Sequence, residues 1–503
     1  MKAFLMYMDR DFEVKGDVSP NEATLTQDLE LDTLFDAMAV GDKFLLEVVK
    51  KAVLTSLDGP EAILYRQRIL ADCLERSAIV REMYAIAVEA IEREKKVWSW
   101  GQYPEGMLHR SVDVIKQFMD LLKRLRHIAD AHDAEFRSEG FTTLFRMLAR
   151  ELDDEYLGSV EDHLRRLEFR DGVLMSAELD DGNKGAQYVL RKPWDTKQSW
   201  MERLQAWGEQ LFLRDRSDYV YQIADRDEGG FRALSELKGR GISLVANALD
   251  QSADHILSFF RMLRSELGFY VGCLNLRDRL AGKGEPICFP EPFAAGKAIL
   301  SGRGLYDLCL SLSVEERVVG NDVSADDKLL VMITGANRGG KSTFLRGIGL
   351  AQLMMQCGMF VPAESFRANV CDGIFTHYKR EEDSSMRSGK LDEELSRMSS
   401  IVDDMTPNSI VLLNESFAST NEREGSEIAR QIVRALLETG IKVIYVTHLF
   451  DLAQGFYLVK KDAALFLRAE RLADGRRTFR LVEGEPLPTS HGEDLYRRIF
   501  GAV

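Results

Sequence analysis

Apolar side chains recur at helical spacing through about the first 270 residues, and beyond them short apolar runs alternate with helical stretches. Asp58-Gly59-Pro60-Glu61 predicts a helix start, with Pro60 at the first helical position and an acid facing the positive end of the dipole. From there to about Ala90 nothing breaks the pattern, and Ile63, Leu70 and Leu74 share a face. At ~1.5 Å per residue the stretch predicts a rod of ~45 Å, long enough for a lever, although such a stripe is first of all the core of a helix bundle. Further helices are predicted over 112–128, 144–167 and 250–269. Between them, 172–179 and 186–191 flank a polar, glycine-bearing turn and predict two strands, a small β insertion within the helices.

The later pattern is that of a parallel sheet. Leu329-Leu330-Val331-Met332-Ile333 reads as a buried strand, 342–359 as a helix without proline, and Gly335 to Ser342 between them fill G-x-x-x-x-G-K-[ST]. Glycines at that spacing let successive backbone N–H groups turn onto a phosphate, Lys341 places a point charge on its oxygens, and the Ser342 hydroxyl can ligate Mg²⁺. A glycine-rich turn that binds nothing is the plainer alternative, but the strand–loop–helix order favours nucleotide binding. A second strand, Ile410-Val411-Leu412-Leu413, runs into Asn414-Glu415. In ATPases of this kind Asp usually follows the strand and supports the metal shell, and the next Glu polarises the attacking water. Here Asn414 can act only through a metal-bound water and brings no charge, whereas Glu415 remains available as the base. A helix over 425–438 ends at Gly440, and Val443-Ile444-Tyr445-Val446-Thr447 follows as a third strand ending at His448. A lone histidine is more often structural, yet the carboxyl end of a parallel strand is where ligands bind in such sheets, within reach of a γ-phosphate. The segments 466–470 and 477–482 predict a late hairpin.

Composition narrows the class. At 503 residues the chain exceeds what one core usually supports, so several domains are expected. Its 45% hydrophobic and 29% charged residues are ordinary globular values, and no run is apolar for the roughly 20 residues that cross a bilayer. Asp9 and Arg10 arrive too early for a signal peptide, so a cytoplasmic protein without a membrane partner is expected. Cys73, Cys273, Cys288, Cys309, Cys357 and Cys371 form no C-x-x-C pair, which fits reduced thiols and no zinc site. A net charge of −15 argues against nonspecific coating of nucleic acid while leaving room for a local basic groove. The basic run Lys123-Arg124-Leu125-Arg126 reads as a solvated helix face rather than a DNA track.

The block 334–346 is followed in order by Phe360-Val361-Pro362-Ala363, Asp372-Gly373-Ile374-Phe375-Thr376, Thr406-Pro407-Asn408-Ser409 and Thr447-His448-Leu449-Phe450-Asp451-Leu452. These five blocks resemble the ATPase domain of the MutS mismatch-repair family. Upstream, Leu31-Asp32-Thr33-Leu34, Gly41, Ile63, Arg66-Gln67 and Leu70 resemble the start of that family's helical lever domain. The resemblance implies an ABC-type P-loop ATPase that binds ATP and Mg²⁺ through Gly335, Ala336, Asn337, Arg338, Gly339, Gly340, Lys341, Ser342 and Thr343, with Asn414 in the metal shell through water. It implies Lys341, Glu415 and His448 as catalytic, His448 as a γ-phosphate sensor. It also implies a homodimer in which a partner serine, matching Ser388 or Gly389 here, completes each nucleotide site. The loop 416–425 would cross that interface, and Ser416-Phe417-Ala418-Ser419 departs from the family's glycine-rich version.

The expected organisation is an N-terminal segment (1–30), a helical core or lever domain (31–280) with the β insertion at about 172–191, a connector (281–320) and the α/β ATPase domain (321–503). About 30 residues precede the lever-like region, so the family's mismatch-reading module is expected to be absent. The single Phe-x-Glu, Phe289-Pro290-Glu291, reads as structural. The expected function is ATP-driven closure of paired heads that moves the levers, on branched or distorted DNA rather than mismatches. The alternatives are a nucleotide-gated scaffold with little hydrolysis and an ATPase acting on a protein partner.

Overall fold

The computed structural model of the chain describes residues 1–16, 21–57, 59–98, 103–169, 172–180, 184–191, 228–380, 389–472 and 476–487. The first part is helical: α1 (Glu22–Asp28), α2 (Leu31–Ala39), α3 (Lys43–Val53), α4 (Pro60–Glu75), α5 (Ser77–Lys96), α6 (Pro104–His132), α7 (Glu139–Glu151) and α8 (Asp154–Leu167) precede strands β1 (Met175–Asp180) and β2 (Lys184–Leu190) and helix α9 (Glu228–Ala281). Then follow β3 (Glu291–Phe293), β4 (Leu300–Leu305), α10 (Leu308–Ser313), β5 (Asn321–Ser324), β6 (Leu330–Thr334), α11 (Lys341–Gln356), β7 (Ser365–Asn369), β8 (Ile374–Tyr378) and α12 (Lys390–Asp404). The order closes with β9 (Ile410–Asn414), α13 (Glu422–Glu438), β10 (Lys442–Val446), α14 (Phe450–Lys460), β11 (Ala464–Arg471) and β12 (Arg477–Glu483).

Contacts divide the chain into two compact units. One comprises Met1–Lys2, Ala85–Asp133 and Phe145–Arg264. Its interior is built from helix faces carrying Leu121, Leu125 and Leu148, all fully buried, and from Phe118 against Phe260 with ring centroids 5.5 Å apart. Strands β1 and β2 form an antiparallel pair. The basic run is a paired surface: Lys123 meets Glu161, Arg124 meets Glu89 at 2.7 Å, and Arg126 meets Asp130 at 2.7 Å. Arg126 also donates to the carbonyls of Ala149 and Leu152 at 2.9 Å, where the carbonyls at the end of α7 lack helical donors.

The other unit comprises Ala3–Tyr84, Ala134–Leu144 and Ser265–Val503. Its main sheet runs β12-β11-β6-β10-β9-β8, parallel throughout except for the terminal pair β11–β12. β6 and β10 are buried along their whole length, which is why 330–333 and 443–446 read as apolar runs. A second sheet, β3-β7-β4-β5, is mixed, and the sequence reading had only a connector over much of it.

Several helices differ from expectation. The rod predicted from Pro60 to about Ala90 is two helices, because Arg76 leaves helical geometry at φ −118° and ψ 41°. Nearby, the Asp72 carboxylate accepts the Arg137 and Ser138 N–H groups and Arg76 pairs with Glu135 at 2.8 Å, so tertiary contacts shape this bend. The predicted 144–167 helix is interrupted at Leu152–Asp153, where the Asp153 side chain accepts from Tyr156 N–H and starts α8 as an N-cap. The predicted 250–269 helix is the middle of the 54-residue α9. Glycines such as Gly239 and Gly241 weaken the helical signal of its first half. Further along, Gly272 lets α3 approach, since a Cβ there would stand 2.7 Å from Val49.

Ala3, Leu5, Met6 and Phe12 are buried in the second unit. Arg66 is fully buried and donates to Met6 O from Nε and a terminal nitrogen, and to Cys357 O just beyond α11. Glu266, also fully buried, accepts Leu5 N–H at 2.6 Å, yet burial outweighs this and pushes its pKa up from 4.5 to about 7. A folded-state pKa above the unfolded one contributes stability that is complete below pH 4.5 and lost as pH rises through 7. Between pH 5 and 8 the wild type is expected to lose about 2–3 kcal/mol more stability than Glu266→Gln. Urea midpoints of both proteins at the two pH values measure this, and equal losses would contradict the assignment.

Candidate active site

Three neighbouring parallel strands, β6, β10 and β9, end side by side, with Ile333 paired to Val446 and Val446 to Asn414. The loop after β6, the Asn414-Glu415 step after β9 and His448 after β10 therefore converge, although some 70 and 100 residues separate them in sequence. The crevice at the carboxyl ends of such strands is the general ligand position in open parallel sheets.

The loop Gly335–Ser342 is built by backbone geometry that side chains resist. Gly335 and Gly340 lie at φ 110° and 90°, and a Cβ on Gly335 would stand 2.9 Å from Ala469 N. Arg338 is left-handed at φ 60°, and Asn337 and Arg338 are exposed. Lys341 opens α11, is almost wholly buried, and donates to the carbonyls of Gly335 and Ala336 at 2.9 and 3.0 Å. Its Nζ also lies 3.4 Å from His448 Nε2, and burial lowers its pKa to about 8.

Ser342 Oγ donates to Asn414 Oδ1 at 2.9 Å, and Glu415 Oε1 lies 2.8 Å from His448 Nε2. The hydrogen bond from His448, then the nearby charges of Lys341 and Lys379, hold the Glu415 carboxyl below its ordinary range. Ser342, Asn414 and Glu415 thus present oxygen atoms, the donor type that suits a hard cation such as Mg²⁺, with Asn414 neutral where a charged ligand would hold it harder. Among the described residues no cluster of three or more His, Cys, Asp or Glu has the arrangement of a metal site, and all six cysteines are free.

A neighbouring cavity of about 700 Å³, absent from the sequence reading, is lined by Arg338, Gly340, Thr343, Tyr306, Asn321 and Phe479, among others. Phe479 is half-exposed at φ 58°, and buried Asn321 pins it by donating to Phe479 O at 3.1 Å and accepting Leu481 N–H at 2.7 Å. The only sequence signal was an aromatic residue in the late hairpin, which names no partner across 158 residues.

Ser388 lies outside the described residues. The 416–425 loop is shorter, because Asn421 caps α13 by accepting Glu424 N–H at 3.0 Å and Glu422–Gly425 form the first helical turn. Ser416 and Phe417 are fully buried rather than displayed. In Phe289-Pro290-Glu291, Pro290 O accepts from the buried Gln67 amide at 3.1 Å and Glu291 begins β3.

Residues 331–493 match the family model of MutS domain V, and residues 58–283 that of the MutS2 N-terminal domain. With the fold, these matches define the class as an α/β ATPase domain of the MutS type preceded by a mainly helical region. The chain belongs to the MutS family. It is 32% identical over 174 residues to the DNA mismatch repair protein MutS of Petrotoga mobilis, covering 34% of this chain and 21% of that protein. The DNA mismatch repair protein MutS of Thermotoga maritima is 38% identical over 140 residues, 28% of this chain and 18% of the relative. The Endonuclease MutS2 of Lacticaseibacillus casei is 33% identical over 174 residues, 34% of this chain and 22% of the relative. The chain spans about a fifth of the length of these curated relatives. No helix among the described residues is long and apolar enough to cross a membrane.

Proposed function

We propose that this chain binds and hydrolyses ATP in an ABC-type P-loop head that works as a homodimer, and that closure of two heads changes the posture of the helical region on DNA of branched or distorted form. The observation that carries the reading is the meeting of Lys341, Ser342 with Asn414, and Glu415 with His448 at the ends of three adjacent strands.

Lys341 exchanges the carbonyls of Gly335 and Ala336 for the β and γ phosphate oxygens, while the loop amides cradle the phosphates. Mg²⁺, bound through the Ser342 hydroxyl and a water on Asn414, would neutralise phosphate charge. Glu415 accepts a hydrogen bond from the nucleophilic water and orients it for in-line attack, and His448 holds the Glu415 carboxylate and reaches toward the γ-phosphate. The cavity beside Arg338 and Phe479 has the size and the aromatic wall to take the nucleoside. Ser388 of a second copy is assigned to complete the nucleotide site.

Asn414 also favours a second reading, a scaffold in which ATP sets conformation with little turnover. Asn414→Asp is expected to lower the Mg²⁺ concentration for half-maximal turnover by about fivefold, since a charged acceptor adds about 1 kcal/mol. A Mg²⁺ titration of steady-state hydrolysis reads it directly; an unchanged midpoint would remove Asn414 from the metal shell. Wild-type protein that binds ATP but never turns over would favour the scaffold.

The DNA part rests on the relatives' names as mismatch repair and endonuclease proteins. Binding to duplex, forked and single-stranded DNA with ATP, measured over a range of salt, tests it. Preference for the fork supports the reading, whereas no binding at low salt leaves a protein partner as the substrate of the motion.

A further inference from the structure

The residues just after Glu415 are held more tightly than a surface turn requires. Glu415 and Phe417 are both left-handed, at φ 56° and 63°, a conformation that costs a side-chain-bearing residue about 1–2 kcal/mol each. Something must offset that cost. His377 on β8 is fully buried, with Nδ1 2.7 Å from Ser416 Oγ and Nε2 3.0 Å from Glu394 O on α12. The Phe417 ring stacks on the imidazole at 5.3 Å and 18°. Tyr445 on β10 donates its hydroxyl to Ser416 O at 2.5 Å. The turn is closed from the other side by α13, where a Cβ on Gly425 would stand 2.4 Å from Phe417 O.

Proton positions follow from these contacts. Burial pushes the His377 pKa down to about 3, so the ring is neutral and carries one proton. A carbonyl can only accept, so that proton sits on Nε2 toward Glu394 O, and Nδ1 accepts from Ser416. Ser416 Oγ is also 2.7 Å from His377 O, so its single proton is shared between two acceptors on one residue. The hydroxyl and the carbonyl of Ser416 are thereby tied to sheet strands, and Glu415 N–H is tied to Val446 O at 2.8 Å.

We propose that His377 is a positioning residue for Glu415, acting through Ser416 with Tyr445 as its second anchor, so that the buried triad sets where the Glu415 carboxylate stands in the site. The inference rests on the ATPase reading above. Nucleotide binding is served by the loop after β6 and the cavity beside Phe479, neither of which touches the triad, so a loosened Glu415 should slow hydrolysis without weakening ATP.

The experiment compares kcat, KM and ADP affinity in full-length wild type, Tyr445→Phe, His377→Ala and His377→Asn. Tyr445→Phe removes one oxygen and keeps the ring, and is expected to lower kcat about tenfold. His377→Ala is expected to lower it by up to about 100-fold, the effect of an ångström-scale misplacement, with KM and ADP affinity within about twofold. His377→Asn, whose amide oxygen stands where Nδ1 accepts from Ser416, should recover most of the loss. Wild-type kcat in Tyr445→Phe, or ADP affinity falling in step with kcat, overturns the inference. If His377→Ala does not fold, Tyr445→Phe alone decides. Absence of turnover in the wild type removes the ATPase reading and this inference together, whereas turnover in the wild type with unchanged Tyr445→Phe removes this inference only.

Discussion

Glu415→Gln is expected to lower ATP turnover by about 10²–10⁴-fold, the usual worth of a general base, while changing nucleotide affinity by less than about threefold. The amide keeps the size of the side chain and an oxygen that can still face His448 Nε2, now 2.8 Å from the carboxylate, so the geometry should persist. What disappears is the basic oxygen that draws the proton of the attacking water. Single-turnover hydrolysis at saturating ATP and Mg²⁺ is the measurement, because it excludes product release. Turnover within a few-fold of wild type would show that another group activates the water, and the convergence at the strand ends would lose its catalytic meaning.

Lys341→Ala should act at the binding step. Lys341 is buried and its ammonium now satisfies the carbonyls of Gly335 and Ala336, so it is already desolvated and aimed along the loop. Truncating one partner of a buried charge-assisted contact costs about 2–5 kcal/mol, which is about 30-fold to several thousand-fold in Kd. Calorimetric titration with ADP and with ATP should show the loss for both, greater for ATP because the γ oxygens lose a charge partner as well. Affinity within threefold of wild type would mean that the loop does not hold the phosphates.

Much of the candidate site was legible because its chemistry sits in contiguous strings. The glycine loop announces itself by spacing, and Asn414-Glu415 and His448 each follow an apolar run whose burial on both faces of a parallel sheet leaves no polar alternation. Contiguity also explains what was missed. The cavity beside Thr343 needs Tyr306, Asn321 and Phe479 together, and the support of Glu415 needs His377 on β8 and Tyr445 on β10. Those are cross-strand relations, and a single sequence records strands without recording which lie side by side. The interrupted rod at Arg76 failed for a related reason: helix propensity is local, while the contacts of Asp72 with Arg137 and Ser138 come from a segment some 65 residues away. The mixed sheet β3-β7-β4-β5 was invisible because β3 is three residues long and β4 carries two glycines, too little alternation to register.

The anchoring of Met6 by Arg66 and of Leu5 by Glu266 has a practical side for anyone dissecting this molecule. Chain ends are ordinarily where cloners trim and attach tags, on the premise that they fray. Here the opening residues plug the same interior that backs the far end of the helix starting at Lys341, through the shared guanidinium contact with Cys357. An isolated C-terminal expression fragment would therefore begin with a hole where a strap belongs, since the second unit is discontinuous in sequence.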